Sequence, residues 1–287
     1  MRSYLKRSAL IISLLLISTG VQAATYVNET FEDDTIGVAP TNPALKKITQ
    51  VITEAGTGVI GTDNVGRFND SSATTAGNLE YNVGTSNTLS SLYIQFDLLN
   101  NAPGNTGSAA NPIIFGLGPW SNSTGIQLGA NASRQFGVEF YLTGSSSTLK
   151  LRTNATAFVN TTYTMTSLQT VKIWVNDDDS ATLAYTRPDN SSAATLGANS
   201  FVIWINDALV TGETDGGFGM NPLLTSGNTT LGRVGFDSTT TTVADFSIDN
   251  VLIMDPVAVP EPSSVALILS GCLALGVFMR RRAVRSA

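Results

Sequence analysis

The chain has 287 residues, with 22 acids, 16 bases, one cysteine and no histidine. Lack of histidine excludes His-based triads, His-ligated zinc and imidazole general bases. The single cysteine, Cys272, lies in an apolar run near the C-terminus, so thiol catalysis and disulfides are excluded from the rest of the chain.

Arg2, Lys6 and Arg7 form a positive start, Ala9 to Ile17 is apolar, and Val21-Gln22-Ala23 ends in small residues. These are the three regions of a secretory signal peptide, expected over 1–23 and cut after Ala23. The Sec translocon and signal peptidase are the partners this implies. No lipobox cysteine is present, so a lipoprotein is not expected. The folded body is expected over 24–256. All 22 acids lie between Ala24 and Glu261, against nine of the bases, a net charge of −13. That charge disfavours nucleic acid and anionic lipid surfaces and leaves room for calcium.

The body is rich in Thr, Ser, Asn and Gly, the composition of short strands and tight turns. Leu92, Ile94, Phe96 and Leu98 alternate with Tyr93, Gln95 and Asp97. Phe136–Leu142, Val171–Val175 and Phe201–Ile205 repeat this period of two, the mark of half-buried antiparallel strands. Further strands are expected at Tyr26–Phe31, Lys47–Ile52, Asn78–Val83, Ile113–Leu117, Leu149–Arg152, Ala181–Tyr185, Leu231–Phe236 and Val243–Met254. Turn-rich clusters such as Asn100–Asn111 and Pro188–Asn199 are expected to separate them. The expected fold is all-β, a two-sheet jelly-roll-like β-sandwich. Ile173-Trp-Val-Asn-Asp177 recurs as Ile203-Trp-Ile-Asn-Asp207, which reads as two edges of one supersecondary unit. The apolar residues change parity near Asp249, where a bulge or a doubly buried strand is expected.

The opening Glu29-Thr-Phe31-Glu32-Asp33-Asp34 and the closing Phe246-Ser-Ile248-Asp249-Asn250-Val251 resemble the ends of concanavalin-A-like and carbohydrate-binding jelly rolls. The resemblance covers these two ends only. It implies that the first and last strands pair, and that calcium can clamp them. Glu32, Asp34 and Asp249 are the candidate ligands for such a structural Ca2+, the alternative being solvated turn acids. Asp177-Asp178-Asp179 lacks the alternate spacing of a calcium loop and reads as a solvated turn. Glu213-Thr-Asp215-Gly-Gly-Phe218 begins the E-x-D-x-x-E pattern of sandwich-fold glucanases but ends in Phe, which removes a carboxylate. Tyr93, Trp174 and Trp204 are candidates for a glycan platform, because each shares its strand face with polar residues. The competing reading is that loops cover these rings.

The chain closes with Val259-Pro260-Glu261-Pro262-Ser263-Ser264, an uncharged run to Met279, and Arg280-Arg281-Arg282 with Arg285. A transmembrane helix is expected over 264–279, short for a bilayer, with the arginines on the cytoplasmic side. Pro260, Glu261 and Pro262, the short helix and the Arg cluster resemble the PEP-CTERM sorting signal, over residues 257–287. The resemblance implies an exosortase partner that cuts near Pro-Glu-Pro in a Gram-negative bacterium making exopolysaccharide. The membrane helix is then transient. An inner-membrane intermediate would pass to the outer envelope or extracellular matrix.

These observations point to an exported, non-enzymatic surface or matrix protein. The alternatives are a carbohydrate-binding module and, third, a glycan-active enzyme.

Overall fold

The computed structural model describes residues 23–41, 45–49, 51–55, 63–70, 77–83, 89–101, 113–120, 136–143, 146–152, 158–165, 168–210, 218–219, 231–238 and 244–256. The expected leader up to residue 22, and the tail with Pro260, Glu261, Pro262, Arg280, Arg281 and Arg282, lie outside the described residues. Glu213 and Asp215 do so too. Among the described residues there are eighteen strands and no helix, hence none long enough to cross a membrane.

The strands form two large antiparallel sheets and one hairpin. The first sheet runs β15 (Ala208–Leu209), β14 (Ser200–Ile205), β11 (Gln169–Asn176), β6 (Ser91–Asn100), β18 (Ala244–Met254), β4 (Asn64–Asp70), β3 (Val51–Ala55). β1 (Thr25–Glu29) adds to β18, and β16 (Phe218–Gly219) adds to β14. The second sheet runs β10 (Phe158–Met165), β9 (Ser146–Arg152), β8 (Phe136–Thr143), β7 (Ile113–Gly118), β17 (Arg233–Ser238), β5 (Asn78–Asn82), β2 (Leu45–Thr49). The hairpin pairs β12 (Leu183–Thr186) with β13 (Ala193–Leu196).

Alternation along β6 sets the layers. Leu92, Ile94, Phe96 and Leu98 are buried, while Ser91, Tyr93, Gln95, Asp97 and Leu99 are half-buried on the other face. The buried faces of both sheets share one core. At its centre Phe96 of the first sheet stacks on Phe115 at 5.2 Å and meets Phe236 edge-on at 4.8 Å. Both partners belong to the second sheet, so these rings hold the layers together, in geometries that aromatic quadrupoles favour.

The parity change at Asp249 is a bulge. Phe246 and Ile248 face the core, Asn250 takes φ 50°, and then Val251 and Ile253 face the core. The register against β6 shifts between Asp249 and Leu252. At this point β18 also changes its other neighbour, from β4 to β1. Phe31, just past β1, sits at φ 58°, its N–H donating to Glu29 Oε1 at 2.8 Å. Its ring lies where a side chain on Gly66 would be, since a Cβ there would approach it to 2.8 Å.

Three expectations need correction. Lys47–Ile52 is not one strand, because β2 belongs to the second sheet and β3 to the first. Pro188–Asn199 is not only a connection, because Ala193–Leu196 pairs with Leu183–Thr186. β4 and β10 were not expected as strands; in β4, Gly66 and Arg67 break the apolar alternation.

Candidate functional site

The repeated Ile-Trp-Val/Ile-Asn-Asp segments are neighbours, β11 and β14, with Ile173 opposite Ile203. Each contributes its Trp to the outer face of the first sheet, as period two requires. The chain between them returns over that face as the β12–β13 hairpin. Trp174, Tyr185, Leu196, Val202 and Trp204 form a second apolar cluster, with Tyr93 and Leu183 packed against it. Trp174 lies 4.7 Å from Tyr93 and 5.1 Å from Tyr185, centroid to centroid. Arg187 of the hairpin sits 5.2 Å above the Trp204 ring, a cation–π contact.

Trp204 is therefore 1% exposed and Trp174 9%. The expected platform residues do share a face, but the hairpin covers both indoles and leaves only Tyr93 half-open. Tyr93 Oη donates to Gln95 Oε1 at 2.8 Å, and burial, then the charge of Asp207, raises its pKa. The two Asn residues of the echo have separate tasks. Asn176 Nδ2 donates to the Ala181 and Gly197 carbonyls at 2.9 and 2.7 Å, tying down both ends of the hairpin. Asn206 and Asp207 both take positive φ, 49° and 60°, as a tight turn between β14 and β15 requires.

The acids at the ends of the body are partly dispersed. Glu32 accepts the Asn64 backbone N–H at 2.7 Å, and Asp34 accepts the Thr41 N–H and hydroxyl, both at 2.9 Å. Asp249 is 2% exposed and stands directly opposite Asp97 across β18 and β6. Asn250 Nδ2 bridges these two carboxylates, at 2.9 Å to Asp97 and 3.3 Å to Asp249. Burial pushes the Asp249 carboxyl up to about 7, against the backbone N–H of Asn250, with Asp97, Asp63 and Glu32 adding repulsion. Among the described residues no three acids converge as a metal-ligand set; Glu32, Asp34 and Asp249 are not joined in one. In the triple-Asp turn, Asp178 accepts the Ala181 and Ser180 backbone N–H groups at 2.7 and 2.8 Å. These bonds hold it below its ordinary pKa. Asp177, in contrast, is fully buried.

A constellation not singled out in the sequence lies on the second sheet, on the face away from the core. Glu80, Gly235, Gly116 and Gly137 stand opposite one another in a single row across β5, β17, β7 and β8. The adjoining row brings Asn78 opposite Asp237. Arg233, Glu80, Asp237 and Asn78 are all 1% exposed or less. Arg233 Nη1 lies 3.4 Å from Glu80 Oε2. Burial lowers the Arg233 pKa, and the charges of Glu80 and Asp237 oppose that shift. Among the described residues, neither amide atom of Asn78 has a hydrogen-bond partner. The signal was present as one glycine between apolar residues in each of three strands, Val234-Gly-Phe236, Phe115-Gly-Leu117 and Phe136-Gly-Val138. Only the strand pairing aligns them.

No family model and no curated protein matches the chain. Among solved structures it is similar to a carbohydrate esterase of the Shiga toxin-encoding bacteriophage phi24B, at 12% identity and TM-score 0.45, over 82% of this chain and 99% of that one. The Emp47p carbohydrate recognition domain gives 11% identity and TM-score 0.45, over 84% and 100%. An endo-1,3-beta-glucanase from Streptomyces sioyaensis gives 10% identity and TM-score 0.45, over 83% and 98%.

Proposed function

We propose that this chain is an exported, non-enzymatic protein of the cell envelope or extracellular matrix, displaying one β-sandwich. We propose further that an exosortase sorts it through Pro260-Glu261-Pro262. The geometry that supports display is the meeting of the domain's two ends. Thr25 is paired with Met254, the Asp255 N–H donates to the Ala24 carbonyl at 2.8 Å, and Tyr26 Oη donates to Asp255 Oδ1 at 2.7 Å. A body that begins and ends at one corner can be tethered there, with its remaining surface left for contact.

The sorting half rests on the tail. Two prolines around one acid keep that strip extended, and an extended strip is what a protease groove binds. Intact masses of envelope-bound and released protein test it. The expected result is loss of the helix and of Arg280–Arg282 from the mature form, with Glu261→Ala trapping the uncut chain. A wild-type protein that keeps Ala287 in every fraction would make the tail an ordinary anchor.

The second reading is carbohydrate binding, favoured by Tyr93, which stays half-open beside Gln95 on the outer face of the first sheet. Glycan-array binding of the exported protein separates it from a purely structural role.

A further inference from the structure

We propose that the half-open strip of the first sheet beside the β12–β13 hairpin binds a short stretch of uncharged glycan chain, with the Tyr93 ring as its floor and the Gln95 amide as its donor. This rests on the carbohydrate-binding reading and gives it a place and a ligand class.

Register builds the strip. Met254, Tyr93, Trp174 and Val202 stand opposite one another in one row of the outer face. Leu252, Gln95, Lys172 and Trp204 form the next row, and Asp97 stands opposite Thr170 in a third. The hairpin seals the β11–β14 end, where Trp174, Val202 and Trp204 pack with Tyr185 and Leu196. Outside that cover, Met254, Tyr93, Leu252, Gln95, Asp97 and Thr170 are only half-buried. Three rows across β18, β6 and β11 span about 10 by 14 Å at the usual strand spacing and rise. The hairpin stands along one side as a wall, which makes the strip a corner, and ligands favour concave places.

Tyr93 stands where the apolar and polar parts of the strip meet. Trp174 holds one side of its ring at 4.7 Å, so the ring is fixed by the cluster under the hairpin. Its hydroxyl donates to Gln95 Oε1 at 2.8 Å. That bond uses the amide oxygen and leaves Nε2 to donate. Among the described residues Nε2 has no acceptor. A fixed aromatic ring beside a fixed amide donor suits a sugar, which is apolar across its C–H face and hydroxylated at its edge.

Charge then chooses among glycans. Lys172 is held by Asp207 at 2.6 Å. Asp97 accepts from the Thr170 hydroxyl and from Asn250 Nδ2, at 2.5 and 2.9 Å. The strip's cation is thus already paired, and its acids are already bonded. A uronate would add like charge beside Asp97 and Asp207. An amino sugar would meet no bare carboxylate. The unspent group is the neutral amide, and a hydroxyl answers it at no charge cost.

The test titrates the full-length protein calorimetrically with neutral hexasaccharides of gluco, manno and galacto configuration, with a hexauronate and with a hexaglucosamine. One neutral probe is expected to bind, and both charged probes at least tenfold more weakly. Gln95→Leu, which removes the donor, and Tyr93→Leu, which removes the ring but keeps an apolar contact with Trp174, should each weaken binding at least tenfold. Hydroxyl-radical footprinting of the wild-type protein is independent of either variant's folding. The saturating neutral probe should protect Tyr93 and Met254 from oxidation. If no neutral probe binds wild-type protein, the carbohydrate-binding reading falls, and the strip with it. If a neutral probe binds but leaves Tyr93 and Met254 unprotected, or either folded variant binds as wild type does, the strip is wrong and the broader reading stands. Equal or tighter binding of either charged probe overturns the ligand class.

Discussion

Asp249 offers a clean test of the electrostatics, because the chain has no histidine and few other groups titrate between pH 5 and 8. Its carboxyl is raised from an ordinary 3.8 to about 7. The groups facing it are Asp97 from β6, Asp63 ahead of β4, Glu32 beyond β1, and the Asn250 amide. A carboxyl whose folded pKa exceeds its unfolded one favours the folded state in acid. The contribution is complete below about pH 4 and is lost as pH rises through 7. The full shift corresponds to a ceiling of about 4 kcal/mol. Asn250 is exposed beside it, so water reaches the pair, and about 2 kcal/mol is the working figure. Asp249→Asn keeps the shape and the oxygen that accepts the Asn250 N–H, but removes the charge. The variant should match wild type at pH 4 and exceed it at pH 8, by roughly 4–8 °C in melting temperature for a domain of this size. Thermal melts of both proteins from pH 4 to 8.5 decide the matter. Wild-type stability that rises between pH 5 and 8, or a variant with the same slope as wild type, would refute the assignment.

Two further perturbations probe the packing. Asn176→Ala removes the bonds to the Ala181 and Gly197 carbonyls and should cost about 1–3 kcal/mol. It should speed limited proteolysis within residues 181–199 and red-shift tryptophan fluorescence; unchanged cleavage would show that apolar contacts alone hold the hairpin. Phe96→Ala empties the ring contact between the sheets and should cost about 3–5 kcal/mol, read as a lower urea midpoint at unchanged slope. A loss under 1 kcal/mol would mean that the core is not centred there.

Much of the architecture was legible because strand signals are local. Alternation at Leu92–Leu98 assigns one face of β6 to the core from the chain alone, since successive side chains point to opposite faces. The parity change at Asp249 announced the bulge for the same reason. The sequence also placed Tyr93, Trp174 and Trp204 correctly on one face. It could not say what covers that face, because a hairpin's landing place depends on where the strands beside it pair. Trp174 and Trp204 consequently read as a platform and fold as a core. The polar row shows the same limit from the other side. Gly116, Gly137 and Gly235 are unremarkable in their separate strands, more than a hundred residues apart at the extremes, and Arg233 and Glu80 give no local hint that they meet. Register alone aligns them, and register is a property of paired strands. Asp97 and Asp249 are likewise ordinary acids by sequence. The bulge sets them opposite each other and burial raises the pKa of one, so their electrostatics belong wholly to the tertiary structure.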